Sequence, residues 1–199
     1  MKTLVIATSN ADKFQEIAAE LTQFDVVIRS LRDFPSVRES PETGSSFAEN
    51  ALQKAEFYFQ QFQKPVLAED SGLVVAALNG FPDILSARIA ADDSSRIQMV
   101  LDRLGESRNR SAYYVCSMAL KTAEQICTVE AICRGTIVQV PKGEHGFGYD
   151  PIFQAEGTQL TFGEMSLEQK SQYSHRGKAT RKMIPLLREV VADSRIRES

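Results

Sequence analysis

Two adjacent carboxylates are the residues of this chain whose types and spacing most directly suggest chemistry. In Ala68-Glu69-Asp70-Ser71-Gly72-Leu73 the apolar run Pro65-Val66-Leu67-Ala68 gives way to two acids, then to a small hydroxyl residue and a glycine. Neighbouring carboxylates repel unless a cation or a hydrogen-bond network compensates them, so the pair points to a magnesium site, with a solvated turn as the plain alternative. On this reading the acids stand at a strand end, Gly72 lets the backbone turn, and Leu73-Val74-Val75 forms a second strand.

The elements that must position those acids begin upstream. Thr3-Leu4-Val5-Ile6-Ala7 reads as a buried strand, and Thr8-Ser9-Asn10 supplies capping residues for a helix with Phe14, Ile17, Ala18 and Leu21 on one face. A strand feeding a helix N-terminus aims backbone N–H groups at whatever lies above it. Lys13 in the first turn opposes the helix dipole, as an anion site would require, although a surface lysine would look the same. The glycines and the Gly-Lys-Ser/Thr ending of a Walker A loop are absent. After a strand at Val26-Val27-Ile28, the span from Arg32 to Gly44 reads as a functional loop or lobe connection containing Glu42. Ser46-Phe47-Ala48-Glu49 has the form of a capping box, opening a helix whose apolar face carries Phe47, Ala51, Ala55, Phe59 and Phe62. Lys54 stands off that stripe, where it faces either solvent or an anion.

Downstream, Asn79-Gly80-Phe81-Pro82 is a turn, and Asp92 or Asp93 caps a structural helix with Ile97, Val100, Leu101 and Leu104 inward and Gly105 at its end. Residues 112–120 and 126–140 form a long antiparallel hairpin, with Gly135 at a bulge or bend. The glycine-rich segment from Pro141 to Pro151 places Phe147 and Tyr149 among flexible neighbours, a pattern suited to stacking on a base, with a surface loop as the alternative; His145 has no assigned role. Ser166 to Lys170 is a short helical turn. A terminal helix follows with Ala179, Met183, Leu186 or Leu187, and Val190 inward; Pro185 should kink or restart it, and Asp193 to Ser199 is a polar tail.

The 199 residues, 43% hydrophobic, suffice for one substantial core and make a single domain the default. No run is long enough for a membrane span and the N-terminal apolar segment is too short for a secretory signal, so a cytoplasmic protein is expected. Cys116, Cys127 and Cys133 lack paired spacing and read as free buried thiols. A net charge of −3 argues against nucleic acid as partner, while leaving room for a small polyanion held by local cations and a metal.

Seven segments in register resemble the noncanonical purine nucleoside triphosphate pyrophosphatases, the inosine and xanthosine triphosphate pyrophosphatase family. They are Thr8-Ser9-Asn10 with Lys13, Glu42-Thr43-Gly44, Glu49-Asn50-Ala51 with Lys54, Glu69 to Leu73, Ser86-Ala87-Arg88, Phe147 to Phe153, and Lys170 with Ser174-His175-Arg176-Gly177. The resemblance implies an α/β fold: an elongated mixed β-sheet flanked by helices, a single domain over 1–199 of two lobes with a substrate groove between them, and a homodimer. It implies hydrolysis of ITP, dITP or XTP to the monophosphate and pyrophosphate with Mg2+. It makes Asp70 the proton acceptor and a metal ligand, with Glu42 and Glu69 also at the metal, although many relatives carry two aspartates where this chain has Glu69-Asp70. Thr8, Ser9, Asn10, Ala11, Asp12 and Lys13 would form the phosphate-binding turn. Lys54, Ser71 and Lys170 would line the same groove, and Phe147, Gly148, Tyr149, Asp150, His175 and Arg176 would recognise the purine. Arg176 and backbone N–H groups are the candidate donors to a 6-oxo group. The alternatives are a Maf-type pyrophosphatase for pyrimidine or modified nucleotides, against which the Phe-Gly-Tyr-Asp and Ser-His-Arg-Gly segments count, and a catalytically silent nucleotide-binding module.

Overall fold

A computed structural model describes residues 2–196, with side chains described over 3–190. The strands are β1 (Lys2–Ile6), β2 (Val26–Ser30), β3 (Val66–Val75), β4 (Ser111–Lys121), β5 (Ile126–Ile137) and β6 (Phe153–Ala155). The helices are α1 (Ala11–Glu20), α2 (Phe47–Phe62), α3 (Asp93–Leu104), α4 (Leu167–Tyr173) and α5 (His175–Ile196). The strands form one sheet in the order β2-β1-β3-β4-β5-β6. β1 is parallel to both β2 and β3, whereas β5 and β6 are antiparallel, so the sheet is mixed and the fold α/β as expected.

By contact the chain divides into two units: residues 1–70, 117–130 and 179–199, and residues 71–116 and 131–178. In the first, α1 and α2 bury the faces that their apolar spacing selects. Ile17 and Leu21 are fully buried, and Ala51, Ala55 and Tyr58 pack with Val5, Ala7, Val66, Ala68 and Ala119. Phe47 and Tyr58, rather than Phe59 or Phe62, are the buried aromatics of α2, and the Tyr58 hydroxyl accepts the Ser40 N–H at 3.1 Å, anchoring the loop before the helix. The second unit is built around Leu73, Val75, Ile97, Val100, Tyr114, Phe153 and Phe162.

Four expectations are corrected. β3 runs unbroken through Glu69, Asp70, Ser71 and Gly72, so the acids lie within a buried strand rather than at its end, Gly72 makes no turn, and Leu73-Val74-Val75 continues the same strand. The capping box of α2 is half formed: Ser46 Oγ accepts the Glu49 N–H, but the Glu49 carboxylate turns to the N–H and hydroxyl of Ser45. Gly135 stays in register opposite Ala155; it is glycine because a Cβ there would lie 2.3 Å from the Gln154 carbonyl oxygen. Of the kink or restart expected at Pro185, the restart does not occur: α5 starts at His175 and continues through the proline, which stands exposed. The polar tail from Asp193 is helical in backbone to Ile196, and its remainder lies outside the described residues. Among the described residues no helix is long and apolar enough to cross a membrane.

Candidate active site

In the first unit the site is built on β3 and the starts of α1 and α2. Consecutive side chains of a strand leave on opposite faces, which separates Glu69 from Asp70 despite their adjacency. Glu69, its side chain 1% exposed, meets the Lys13 ammonium of α1 at 2.6 Å. Asp70 meets α2: Asn50 Nδ2 donates to its Oδ2 at 2.9 Å, and Lys54 Nζ stands 3.4 Å from its Oδ1. The same ammonium is paired with Glu42 and donates to the Glu69 carbonyl oxygen at 3.3 Å.

Asn50 sets this geometry. Its Oδ1 accepts the Gly44 N–H at 2.9 Å while its amide donates to Asp70, so one buried side chain ties the Glu42-Thr43-Gly44 segment to the strand acid. A Cβ on Gly44 would sit 2.7 Å from that Oδ1, which explains the glycine. Asn50 was missed as a site residue in the sequence, where it stands between Phe47 and Ala51 on the apolar stripe. The signal was its polarity on that stripe, because a buried amide must be hydrogen-bonded.

The phosphate-turn residues are only partly available. The Asn10 side chain caps α1 by accepting the N–H groups of Asp12 and Lys13 at 2.9 and 3.0 Å, so two of the amides expected to face an anion are already engaged. Thr8 Oγ1 accepts the Asn10 N–H, and the Ser9 carbonyl accepts Arg32 Nε at 2.7 Å, bringing an exposed arginine to the turn. Ala11 is the first residue of the helix and contributes backbone alone.

Two acids sharing one ammonium mark a point at which positive charge is held from two sides. Asp70 and Glu42 therefore suit a magnesium ion, which takes one or two carboxylates and completes its shell with water and phosphate. Glu69 is directed elsewhere, to Lys13.

The remaining predicted residues are in the second unit. Lys170, 4% exposed, donates to Asp150 Oδ2 at 2.5 Å, and the same oxygen accepts the Phe147 N–H at 2.9 Å. Phe147 is half-buried, with Lys170 Nζ 4.9 Å and the Arg176 guanidinium 5.5 Å from its ring centre. Arg176, 2% exposed, donates to Ser71 Oγ at 2.9 Å. His175 stacks on Tyr114 with centroids 4.4 Å apart and planes 4° from parallel.

Tyr149 corrects the picture of two stacking rings. It is buried, donates its hydroxyl to the Ser86 carbonyl at 2.7 Å, and burial raises its phenol well above the usual value, so it remains a neutral structural donor. Ser86 in turn donates to the Asp83 carbonyl and accepts the Leu73 N–H, giving the Ser86-Ala87-Arg88 segment a scaffolding role at its first residue. The amides of Phe147 and Gly148 are both held by carboxylates, of Asp150 and Asp93 respectively.

Comparison with known proteins fits this arrangement. The sequence matches the Ham1 family over residues 4–186. It is 42% identical over 197 residues to a dITP/XTP pyrophosphatase of Geobacillus kaustophilus, covering 96% of this chain and 97% of the relative. The corresponding protein of Nostoc sp. is 41% identical over 197 residues, with 97% and 98% covered. Among solved structures, the Staphylococcus aureus Ham1 protein superposes with a TM-score of 0.84 at 35% identity, covering 94% of this chain and 99% of that one. The HAM1 protein of Coxiella burnetii gives 0.85 at 37%, with 95% and 100% covered. Spanning nearly the whole sequence, these matches establish that the chain belongs to the Ham1 family.

Proposed function

We propose that this protein hydrolyses dITP, ITP and XTP to the nucleoside monophosphate and pyrophosphate, with Mg2+ as the required cation. The names of its relatives support the reaction and substrate class. The single observation in this chain that supports it best is the convergence of Glu42 and Asp70 on one lysine ammonium.

Water adds to the α-phosphorus as the bond from that phosphorus to the bridging oxygen breaks, and pyrophosphate leaves with the electron pair. Asn50 anchors Asp70 through Oδ2, leaving Oδ1 on the Lys54 side to accept the proton of the attacking water. Mg2+ held by Asp70 and Glu42 would offset the charge of the triphosphate and of the leaving pyrophosphate. Lys13 and Lys54 add point charges toward the phosphates. In the second unit, Phe147 offers a ring face to the purine, and Arg176 offers donors that suit a 6-oxo group and not a 6-amino group. Lys170, paired with Asp150, stands beside the Phe147 ring. A homodimer is the expected state, on the resemblance alone.

Product analysis with dITP, XTP, GTP, ATP and dTTP, with and without magnesium, tests the proposal. Pyrophosphate from dITP and XTP, little from the others, and none without a divalent cation are expected. Release of orthophosphate, or equal rates on ATP, would refute it.

A further inference from the structure

In the sequence Asp93 stands out only as one of two candidate caps for α3, a helix with no evident role beyond structure. It is the first residue of that helix, and Asp92, not Asp93, is the cap, accepting the Ser95 N–H at 2.8 Å. The Asp93 carboxylate does something else. Its Oδ2 accepts the Gly148 N–H at 2.6 Å, and its Oδ1 accepts Arg96 Nη1 at 2.6 Å. Arg96 is itself tied back through Nε to the Ala90 carbonyl at 3.1 Å. A short bond from an amide to a carboxylate whose other oxygen is held by an arginine is charge-assisted and directional.

The geometry of the loop gives that bond a purpose. The Phe147 N–H belongs to the peptide plane before the Phe147 Cα, and the Gly148 N–H to the plane after it. Asp150 holds the first, at 2.9 Å, and Asp93 holds the second. With both planes fixed, the φ and ψ of Phe147 are fixed, and so is the direction in which its ring leaves the backbone. Gly148 adopts φ +62°, and nothing lies within 4 Å of the place a Cβ would take, so glycine is required there by backbone conformation rather than by space. That conformation presents its amide to Asp93. Gly146 is glycine for the complementary reason: a Cβ would fall 2.0 Å from Asp150 Oδ2.

We propose that Asp93, braced by Arg96, is a positioning residue for purine recognition, setting the Phe147 ring against which the base stacks. This rests on the reading that the Phe147 loop takes the base of a purine triphosphate. Asp93→Ala is expected to raise KM for dITP by about tenfold with kcat changed less than threefold, and to narrow the preference for dITP over ATP. Asp93→Asn retains an acceptor oxygen and should return KM to within about threefold of the natural protein. Asp92→Ala is the control for a merely structural role, since it removes the cap of the same helix without touching Gly148, and it should leave KM unchanged. Asp93→Ser, compatible with a helix start but too short to reach Gly148, replaces the alanine variant if that one does not fold. Unchanged KM in the variant that removes the bond, or an equal rise in Asp92→Ala, overturns the proposal. Failure of the natural protein to release pyrophosphate from dITP and XTP would overturn the functional reading instead.

Discussion

Asp70 owes its setting to a neutral neighbour. Asn50 joins the Gly44 amide to the Asp70 carboxylate, so truncating it removes the acceptor of a half-buried N–H and releases the acid together. Asn50→Ala should lower stability by about 1–3 kcal/mol, read from denaturant unfolding, and depress turnover as well. Glu69 makes a different prediction because its carboxylate is engaged with Lys13. Glu69→Gln should leave Mn2+ affinity within about twofold, read by electron paramagnetic resonance, while weakening nucleotide binding. A tenfold loss of metal affinity would place Glu69 among the ligands. Residue types were legible in the sequence here, and partners were not. Lys13, Lys54 and Asp70 declare themselves as charges near helix starts and a strand, but which acid each lysine meets depends on the face from which a strand residue emerges. Phe147 and Tyr149 likewise look equivalent two residues apart, yet one keeps its ring half-exposed and the other spends its hydroxyl on Ser86.

At the scale of elements, apolar periodicity predicts α1, α2 and α3 well because each buries a single face. β3 was harder to read. Two acids and a glycine interrupt its apolar pattern, and lysines and an asparagine of other elements compensate the charge so that the strand continues. Capping makes predictions at this scale. Ser46→Ala removes the acceptor of the Glu49 N–H and should cost about 1 kcal/mol of stability. The hydrogen bonds from Ser45 to Glu49 and from Ser95 to Asp92 hold both carboxyls below their usual values. Their contribution is therefore complete above the ordinary carboxylate range and is lost as pH falls through the lowered values, so thermal unfolding followed through increasing acid should show the melting temperature falling as these carboxyls protonate. Pro185 withholds a hydrogen bond from a helix that continues past it. Pro185→Ala should raise the melting temperature, by roughly 2–4 °C for each kcal/mol regained.

For the whole molecule, membership of the Ham1 family and the mixed sheet agree with what the seven segments implied. The division at Asp70 and Ser71 falls inside the acidic motif, so Glu42, Glu69, Asp70, Lys13 and Lys54 belong to one unit and the base-recognition residues to the other. No composition or periodicity marks that point. In the proposed function the carboxylate of Asp70 drives pyrophosphate release from a deaminated purine triphosphate. The most direct measurement is pyrophosphate release from dITP by the natural protein and by Asp70→Asn, side by side, with circular dichroism and nucleotide binding as checks on folding and affinity. One pyrophosphate per dITP from the natural protein is predicted, with a rate at least about a hundredfold lower in a folded, nucleotide-binding variant. Orthophosphate as product, or a variant that turns over at the natural rate, would contradict the account.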